Sequence, residues 1–389
     1  MKELASLHRA EYDEDPDIIV AAPGIINLMG EHTDYNEGVA LVAGLNKYLH
    51  VAVSKRNDTS LRFFAADYNE RKRTTITNLK YKREDRWANK PKSVLWSLLN
   101  AGYQFKGLNI TISSHIPQEI GLGSSAAVEI ATIMAMKPLF DFSYSKREAV
   151  QLAYRGETKF NGTTETITDF YVSAFAKKGN AVYLDINTEN MTFVPCSFRG
   201  YNLLVTLANV PKVPSSSELK IRRKACEQCL EALKSRRPGR TLLDYSSGDL
   251  NTFMGNIPEH IRRICMHVIG ENERVHEAKT AFQKKDADAY GKLLSRSHES
   301  LRDNYEVSCP EVDWLVKRAW EIDGVMGSRM VGKGFASGTL TLLKKEAIEE
   351  YKKRLEEYEH IFGFHPELFF FEASAGVKII HKSRKRKRA

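Results

Sequence analysis

Through its first two hundred residues the chain places apolar side chains in short alternating or β-branched blocks. After Val210 it changes to long stretches with apolar residues three and four apart. A period of two marks strands and a period of 3.6 marks helices. The blocks Ile18 to Ala22, Val39 to Leu45, Tyr48 to Ser54, Leu61 to Ala65, Leu108 to Ser113, Ala181 to Ile186 and Leu203 to Ala208 therefore read as strands. Pro91 to Ala101 carries Val94, Leu95, Leu98 and Leu99 at helical spacing, and Ser124 to Leu139 reads as a long apolar helix. Ser145 to Phe160 is amphipathic, with Ser145 as N-cap and Glu148 at capping-box spacing. In the second half, Ser217 to Leu233, Pro258 to Gln283, Asp286 to Asn304, Pro310 to Asp323 and Ala347 to Tyr358 read as helices. A glycine-rich stretch, Met326 to Gly338, precedes a strand at Thr339 to Leu343, and Leu368 to Glu372 is a final strand. The pattern predicts an α/β (α+β) chain of two lobes, residues 1–200 and 201–380, with a basic tail at 381–389.

Composition narrows the class. At 389 residues the chain exceeds one ordinary core. With 42% hydrophobic and 28% charged residues it reads as a soluble globular protein. No run approaches the ~18 apolar residues that span a bilayer. Residues 1–17 are charged and lack an apolar leader core, so a cytoplasmic location is expected. Of the net charge of +9, six units sit in Lys382 and Arg384 to Arg388, which leaves a mildly basic body. A nucleic-acid partner is therefore not expected beyond what that tail could bind. Five scattered cysteines, Cys196, Cys226, Cys229, Cys265 and Cys309, predict free thiols. The Cys226-x-x-Cys229 pair lies in a charged helical segment and reads as part of a helix face.

Three polar runs carry candidate chemistry. Asn27-Leu-Met-Gly-Glu-His-Thr-Asp-Tyr-Asn36 packs Glu31, His32 and Asp34 behind Gly30, just after an apolar block. Carboxylates that accept several hydrogen bonds, beside a glycine that lets the backbone approach, suit a polyhydroxylated ligand. A polar turn before a strand would account for the same run. In Pro117-Gln-Glu-Ile-Gly-Leu-Gly-Ser-Ser-Ala-Ala127, Gly121 and Gly123 allow a tight turn before Ser124 and Ser125 open a helix. The free N–H groups of a helix start suit a phosphate, and serine hydroxyls can bind phosphate oxygens or magnesium. The run has neither the Walker A lysine nor the dinucleotide glycine spacing. The third run, Gly327-Ser-Arg-Met-Val-Gly-Lys-Gly-Phe-Ala-Ser-Gly338, adds glycines together with Arg329 and Lys333, charges suited to phosphate.

In this order and at these separations the three runs resemble the GHMP kinase superfamily, and in detail the galactokinase family. Ala22-Pro-Gly-x-x-Asn-Leu-x-Gly-Glu-His-Thr-Asp-Tyr-Asn36, Ser216-Ser-Glu-x-x-x-Arg-Arg223 and Ser297-His-Glu-Ser-Leu-Arg-Asp-Asn-Tyr305 all resemble galactokinase segments, from about Val20 to Gly376. The resemblance implies a two-lobed fold, with an N-lobe like the second domain of ribosomal protein S5, a ferredoxin-like C-lobe and the active site between them. It implies transfer of the ATP γ-phosphoryl group to the anomeric hydroxyl of galactose, with magnesium, by a monomer whose partners are a sugar and ATP. By the same resemblance Asp169 is the catalytic base and Ser125 and Glu157 are the magnesium ligands. Glu31, His32, Asp34 and Thr166 would face the sugar. The backbone of Gly121, Leu122, Gly123, Ser124 and Ser125 would hold the phosphates, and Trp87 would flank the adenine.

The chain departs from the family pattern at several positions. Ile25 stands where galactokinases carry an arginine beside the catalytic aspartate, and Lys333 is a candidate to replace its charge. Thr166 replaces a glycine expected to touch the sugar, Phe170 replaces a glutamine, and Leu219 replaces a tyrosine near the sugar. Retention of Ser125, Glu157 and Asp169 together favours a kinase. The altered sugar side keeps open a kinase for a uronic acid, an N-acetylhexosamine or a pentose, and a catalytically weak sugar- and ATP-binding sensor.

Overall fold

The computed structural model describes residues 2–118, 121–163, 166–211, 216–253, 257–335 and 338–383. Glu119, Ile120, Ala336 and Ser337 of the motifs above, and 384–389 of the basic tail, lie outside these residues. In chain order the elements are α1 (Lys2–Tyr12), β1 (Ile18–Met29), β2 (Val39–Lys55), β3 (Ser60–Ala65), β4 (Glu70–Thr75), α2 (Asn89–Asn100), β5 (Leu108–Ser114), α3 (Ser124–Leu139), α4 (Lys146–Lys159), α5 (Ile167–Phe175), β6 (Asn180–Asp185) and β7 (Asn190–Pro195). They are followed by β8 (Tyr201–Leu207), α6 (Ser216–Lys234), α7 (Ser247–Phe253), α8 (Glu259–Lys284), α9 (Ala287–Asp303), α10 (Pro310–Trp320), β9 (Val325–Val331), β10 (Gly338–Lys344), α11 (Ile348–Phe362), β11 (Glu367–Phe370) and β12 (Lys378–Lys382).

The alternating blocks of the first half build one mixed sheet. Its main path is β12–β1–β2–β5–β3–β4, and β6 and β7 extend it from β2. β2 holds this sheet together. Its pattern suggests two strands parted at Asn46 and Lys47, but it is a single strand of 17 residues. Val39 to Val42 pair with β6, and Leu49 to Lys55 pair with β5. The polar residues fall where one partner ends and the next begins. The second sheet, β11–β8–β10–β9, is antiparallel throughout. The chain then returns to the first sheet, where Lys382 and His381 of β12 lie opposite Ile18 and Ile19.

Helices α8 and α9 bridge the two sheets. Val275, Ala278 and Phe282 of α8, with Tyr290 and Leu293 of α9, share one apolar core with Val20 and Leu41 of the first sheet and Leu340 of the second. The capping box predicted for α4 is present: Ser145 Oγ accepts the Glu148 N–H and the Glu148 carboxylate accepts the Ser145 N–H.

Some elements carry no signal in the pattern. Seven of the nine residues of α5 are buried, so it lacks the polar face by which a surface helix is recognised. In α1 only Leu4 and His8 are buried, and β4 is mostly charged. The first part of the glycine-rich stretch is strand β9, and Arg329 is fully buried there rather than turned toward a phosphate. The expectation of free thiols is corrected at two positions. Cys229 of α6 and Cys265 of α8 form a disulfide across 36 residues, because these helices pack side by side. Cys196, Cys226 and Cys309 form no disulfide among the described residues.

A buried charge network ties the turn after β1 to α8, α9 and β9. The Glu271 carboxylate accepts the Gly30 N–H at 3.0 Å, the Ser297 hydroxyl at 2.9 Å and Arg274 Nε at 2.7 Å. Burial pushes Glu271 up, but Arg274, His267 and Arg329 outweigh it and hold the group down at about 2. Arg329 donates to the backbone oxygens of Asn27 and Met330 and lies 3.4 Å from Glu31 Oε1. Here burial wins, and Glu31 is pushed up to about 7 despite that cation. Replacing Arg329 by Met leaves Glu31 buried beside no guanidinium. It is expected to cost about 3–5 kcal/mol in urea unfolding, with a large part recovered in Arg329→Met/Glu31→Gln.

Four histidines set the acid response. Burial holds His8, His50 and His267 down to about 4, and His32 well below its ordinary value. His8 lies between Thr111 Oγ1 at 2.9 Å and Ser54 Oγ at 3.0 Å. The folded chain binds fewer protons than the unfolded chain, whose histidines titrate near 6.5. The stability that these neutral imidazoles contribute is therefore complete above pH ~6.5 and falls as the pH drops toward about 4. A melting-temperature series over that window should fall steadily, and more shallowly in His8→Gln.

Candidate active site

The Asn27-to-Asn36 run leaves β1 through Gly30, whose φ is +108°. A Cβ there would meet Val275 at 2.9 Å and the β2 backbone at 3.0 Å, so only glycine lets the chain turn so close to β2 and α8. Thr33 pins the turn, its buried hydroxyl lying 2.8 Å from Gly30 O and 2.7 Å from Val39 O. His267 lies 3.1 Å from Glu31 O through Nε2. His32 follows in the left-handed region at φ +65°, its ring tilted against Tyr305, with Nδ1 at 2.9 Å from the Tyr35 hydroxyl. Asp34 accepts the Tyr35 N–H on one oxygen and the Thr166 hydroxyl on the other.

These residues line a cavity with Asp169, Ile25, Asn27, Thr168, Gly121 and Lys333. Asp169 stands in the first turn of α5, at the positive end of the helix dipole. Three buried polar atoms of this lining, Asn27 Oδ1, His32 Nε2 and Thr168 Oγ1, have no hydrogen-bond partner among the described residues. Buried polar groups are nearly always paired, so three in one cavity mark a place built for a hydrogen-bonding ligand.

A second cavity opens on the other side of the Gly121–Ser125 loop. Leu49, Tyr68 and Trp87 supply its apolar and aromatic walls, and Ser124, Ser125 and Lys90 supply its polar end. Trp87 is oriented by its Nε1–H, which donates to Glu70 at 3.0 Å. Gly123 is the N-cap of α3, left-handed at φ +70°, and no side chain caps that helix start. Gly121 faces the first cavity while Ser124 and Ser125 face the second, so the start of α3 lies between them. Leu122 is buried, and its carbonyl accepts the Ile25 N–H at 2.9 Å, which fixes the loop to β1.

Glu157 is fully buried on α4. It receives Lys90 Nζ, the Asn161 amide and the Thr163 hydroxyl. Burial alone would raise it, but a hydrogen bond from Glu129 and the charge of Lys90 bring it down to about 2. Glu129, buried beneath it, is pushed far up by burial and by the charge of Glu157, and so holds the proton of the pair. Lys90 connects this carboxylate to the cavity of Ser125, since it lines that cavity while bound to Glu157. The donors fit a hard cation that keeps several waters: one ionised buried carboxylate and one hydroxyl. Among the described residues there is no cluster of three or more acidic, histidine or cysteine side chains for a fully protein-bound metal.

Glu31, His32, Asp34 and Asp169 thus share one cavity, and Thr166 joins it through Asp34. Phe170 does not reach it, being buried against Tyr154 on the far side of α5, one residue round the helix from Asp169. Leu219 is likewise absent from the lining. Asn27 and Thr168 were not singled out from sequence, although each stands within or beside a quoted motif. Lys90 had no sequence signal, because its partner Glu157 is 67 residues away.

Comparison with known proteins agrees with this geometry. Residues 89–177 match the GHMP kinases N terminal domain, and residues 6–55 match the galactokinase galactose-binding signature. The chain is 37% identical over 362 residues to the galactokinase of Thermotoga petrophila, covering 93% of this chain and 99% of that one. It is 32% identical over 365 residues to the galactokinase of Streptococcus thermophilus, covering 92% and 94%. The crystal structure of Lactococcus lactis galactokinase complexed with galactose superposes with a TM-score of 0.91 at 27% identity, covering 97% of this chain and 99% of that one. With a GHMP kinase fold and two facing cavities parted by a glycine-serine helix start, the chain belongs to the galactokinase family.

Proposed function

We propose that this protein is a kinase that transfers the γ-phosphoryl group of ATP to the anomeric hydroxyl of galactose, giving galactose 1-phosphate. The observation that supports this best is the set of unpartnered buried atoms, Asn27 Oδ1, His32 Nε2 and Thr168 Oγ1, around Asp169. A hexose presents hydroxyls that both donate and accept, and it can satisfy all three. In this reading Asp169 accepts the proton of the anomeric hydroxyl while the sugar oxygen bonds to the γ-phosphorus. The bond to the bridging oxygen breaks, and ADP leaves with its electron pair. The start of α3 holds the phosphates between the two cavities, and Trp87 lies against the adenine. Ser125 and Glu157 would hold magnesium, which when bound neutralises charge on the β- and γ-phosphates. Lys90 would give up its contact with Glu157 as the ion enters.

The finer points of the reading are a monomeric, cytoplasmic enzyme with no nucleic-acid or membrane partner, and two lobes divided near residue 200. No helix among the described residues is long and apolar enough to cross a membrane. A kinase for a related sugar is the second reading, favoured by one observation: the Thr166 hydroxyl occupies an Asp34 oxygen that a galactose hydroxyl could otherwise use.

The test is ADP release from Mg-ATP with a panel of sugars, alongside thermal shifts. Galactose should turn over, and Asp169→Asn should lower kcat about 10²–10⁴-fold while galactose still raises the melting temperature. Turnover of another sugar alone would sink the galactose reading. Removing magnesium with EDTA should stop ADP release, and added Mg²⁺ should restore it.

A further inference from the structure

The phosphoryl-transfer site gathers negative charge. Asp34 and Asp169 line one cavity, and a triphosphate at the start of α3 would add to them. Charge that grows on the transferring group needs a cation aimed at it, and this is commonly the largest single contribution to catalysis. The wall on the β1 side supplies none. Ile25 is buried there, and its Cγ1 lies 2.6 Å from where a Cβ on Gly123 would stand. The position where a side chain would face both the phosphate loop and Asp169 is thus apolar. Arg329 is no substitute, since it is fully buried and occupied by Glu31, Asn27 O and Met330 O.

The opposite wall is the loop after β9. Gly332 N–H donates to Glu31 Oε1 at 3.0 Å, and Phe335 N–H donates to Val307 O at 2.8 Å, so the loop is held at both ends. Gly334, at φ +90°, has Val307 O 2.5 Å from a would-be Cβ, which leaves the loop no slack on that side. Between these anchors the loop presses on the phosphate loop. A Cβ on Gly121 would stand 3.0 Å from Gly332 Cα and 3.4 Å from Lys333 N. Lys333 lines the cavity and carries the only ammonium or guanidinium group of its described lining. Its charge reaches His32, in the middle of that lining, and helps hold the imidazole neutral after burial and His267.

We propose that Lys333 is a catalytic residue of this chain, which supplies from the glycine loop the positive charge that Ile25 leaves absent on the β1 side. Its ammonium touches the γ-phosphoryl oxygens and faces Asp169 during transfer. It stays protonated throughout, while the sugar proton passes to Asp169 and the bridging oxygen leaves with ADP. The inference rests on the phosphoryl-transfer reading above.

The test compares wild type, Lys333→Met, Lys333→Arg and Ile25→Arg/Lys333→Met, each as the full chain. Lys333→Met should lower kcat about 10²-fold or more, with the galactose KM moving less than about threefold. Lys333→Arg should keep most of the rate, and Ile25→Arg in the Met background should restore part of it from the other wall. A second arm measures affinity for ADP with aluminium fluoride, a mimic of the transferring phosphoryl group. Lys333→Met should weaken that complex about 10²-fold while leaving Mg-ADP alone nearly unchanged. A Lys333→Met enzyme with wild-type kcat, or equal losses for Mg-ADP and the aluminium fluoride complex, would overturn the proposal. A wild type inert toward galactose would overturn the function reading instead, and the aluminium fluoride arm would still decide the role of Lys333.

Discussion

The site depends on one buried arrangement of charge, the pairing of Glu31 with Arg329 beside Glu271. Glu271 on α8 gathers the N–H groups of Gly30 and Glu31, with Ser297 and Arg274 completing its shell. Arg329 on β9 reaches back to Asn27 O and Glu31. Glu31 in turn takes the Gly332 N–H. The turn after β1 and the glycine loop after β9 are thus held by the same few atoms. These groups are far from water, so a missing partner would be costly and the geometry has little freedom. Specificity of arrangement is the use to which this buried ionic network is put.

That constraint explains why two loops nearly 300 residues apart can form opposite walls of one cavity. The apolar core shared by α8, α9 and both sheets brings the walls near each other. The polar network then sets their spacing to the fraction of an ångström that hydrogen bonds demand. The loop before α3 completes the enclosure partly through its backbone: Leu122 O accepts the Ile25 N–H, and Gly121 lies against Gly332. Glycine suits position 121 because its φ is +76° and a Cβ there would stand 3.0 Å from Gly332 Cα.

Chemistry follows from how the start of α3 divides the space. On one side are Asp169, Asp34 and the three unpartnered polar atoms, and on the other are Trp87, Ser124 and Ser125. In the proposed reading a donor and an acceptor bound on the two sides would meet at an open helix start, where a phosphoryl group is favoured. Behind the second cavity, Glu129 keeps a proton so that Glu157 stays charged, and two buried carboxylates so serve different ends.

Much of this was legible in the sequence. The long helices α4, α8 and α9 show periodicity or caps, α3 is a long apolar run, and the motif residues carry the family resemblance because their order and spacing survive. The start of α3 could be read because glycine, glycine and serine before an apolar helix have a local meaning, fixed by backbone sterics and unpaired N–H groups. Other features have no local meaning. Arg329 reads as a phosphate-binding charge until β9 buries it under Glu31, and Phe170 reads as a sugar contact until α5 turns it into the core. α5 itself was hidden because burial on nearly all sides removes the polar face that would reveal it. The disulfide between Cys229 and Cys265 and the pairing of Lys90 with Glu157 join residues far apart in the chain. The sequence by itself determined most of the long elements and the chemical vocabulary, since those depend on neighbours within a few residues. Only the tertiary structure decided which charges are spent inside the fold and which face the ligand, because burial and partnership are properties of the packed chain.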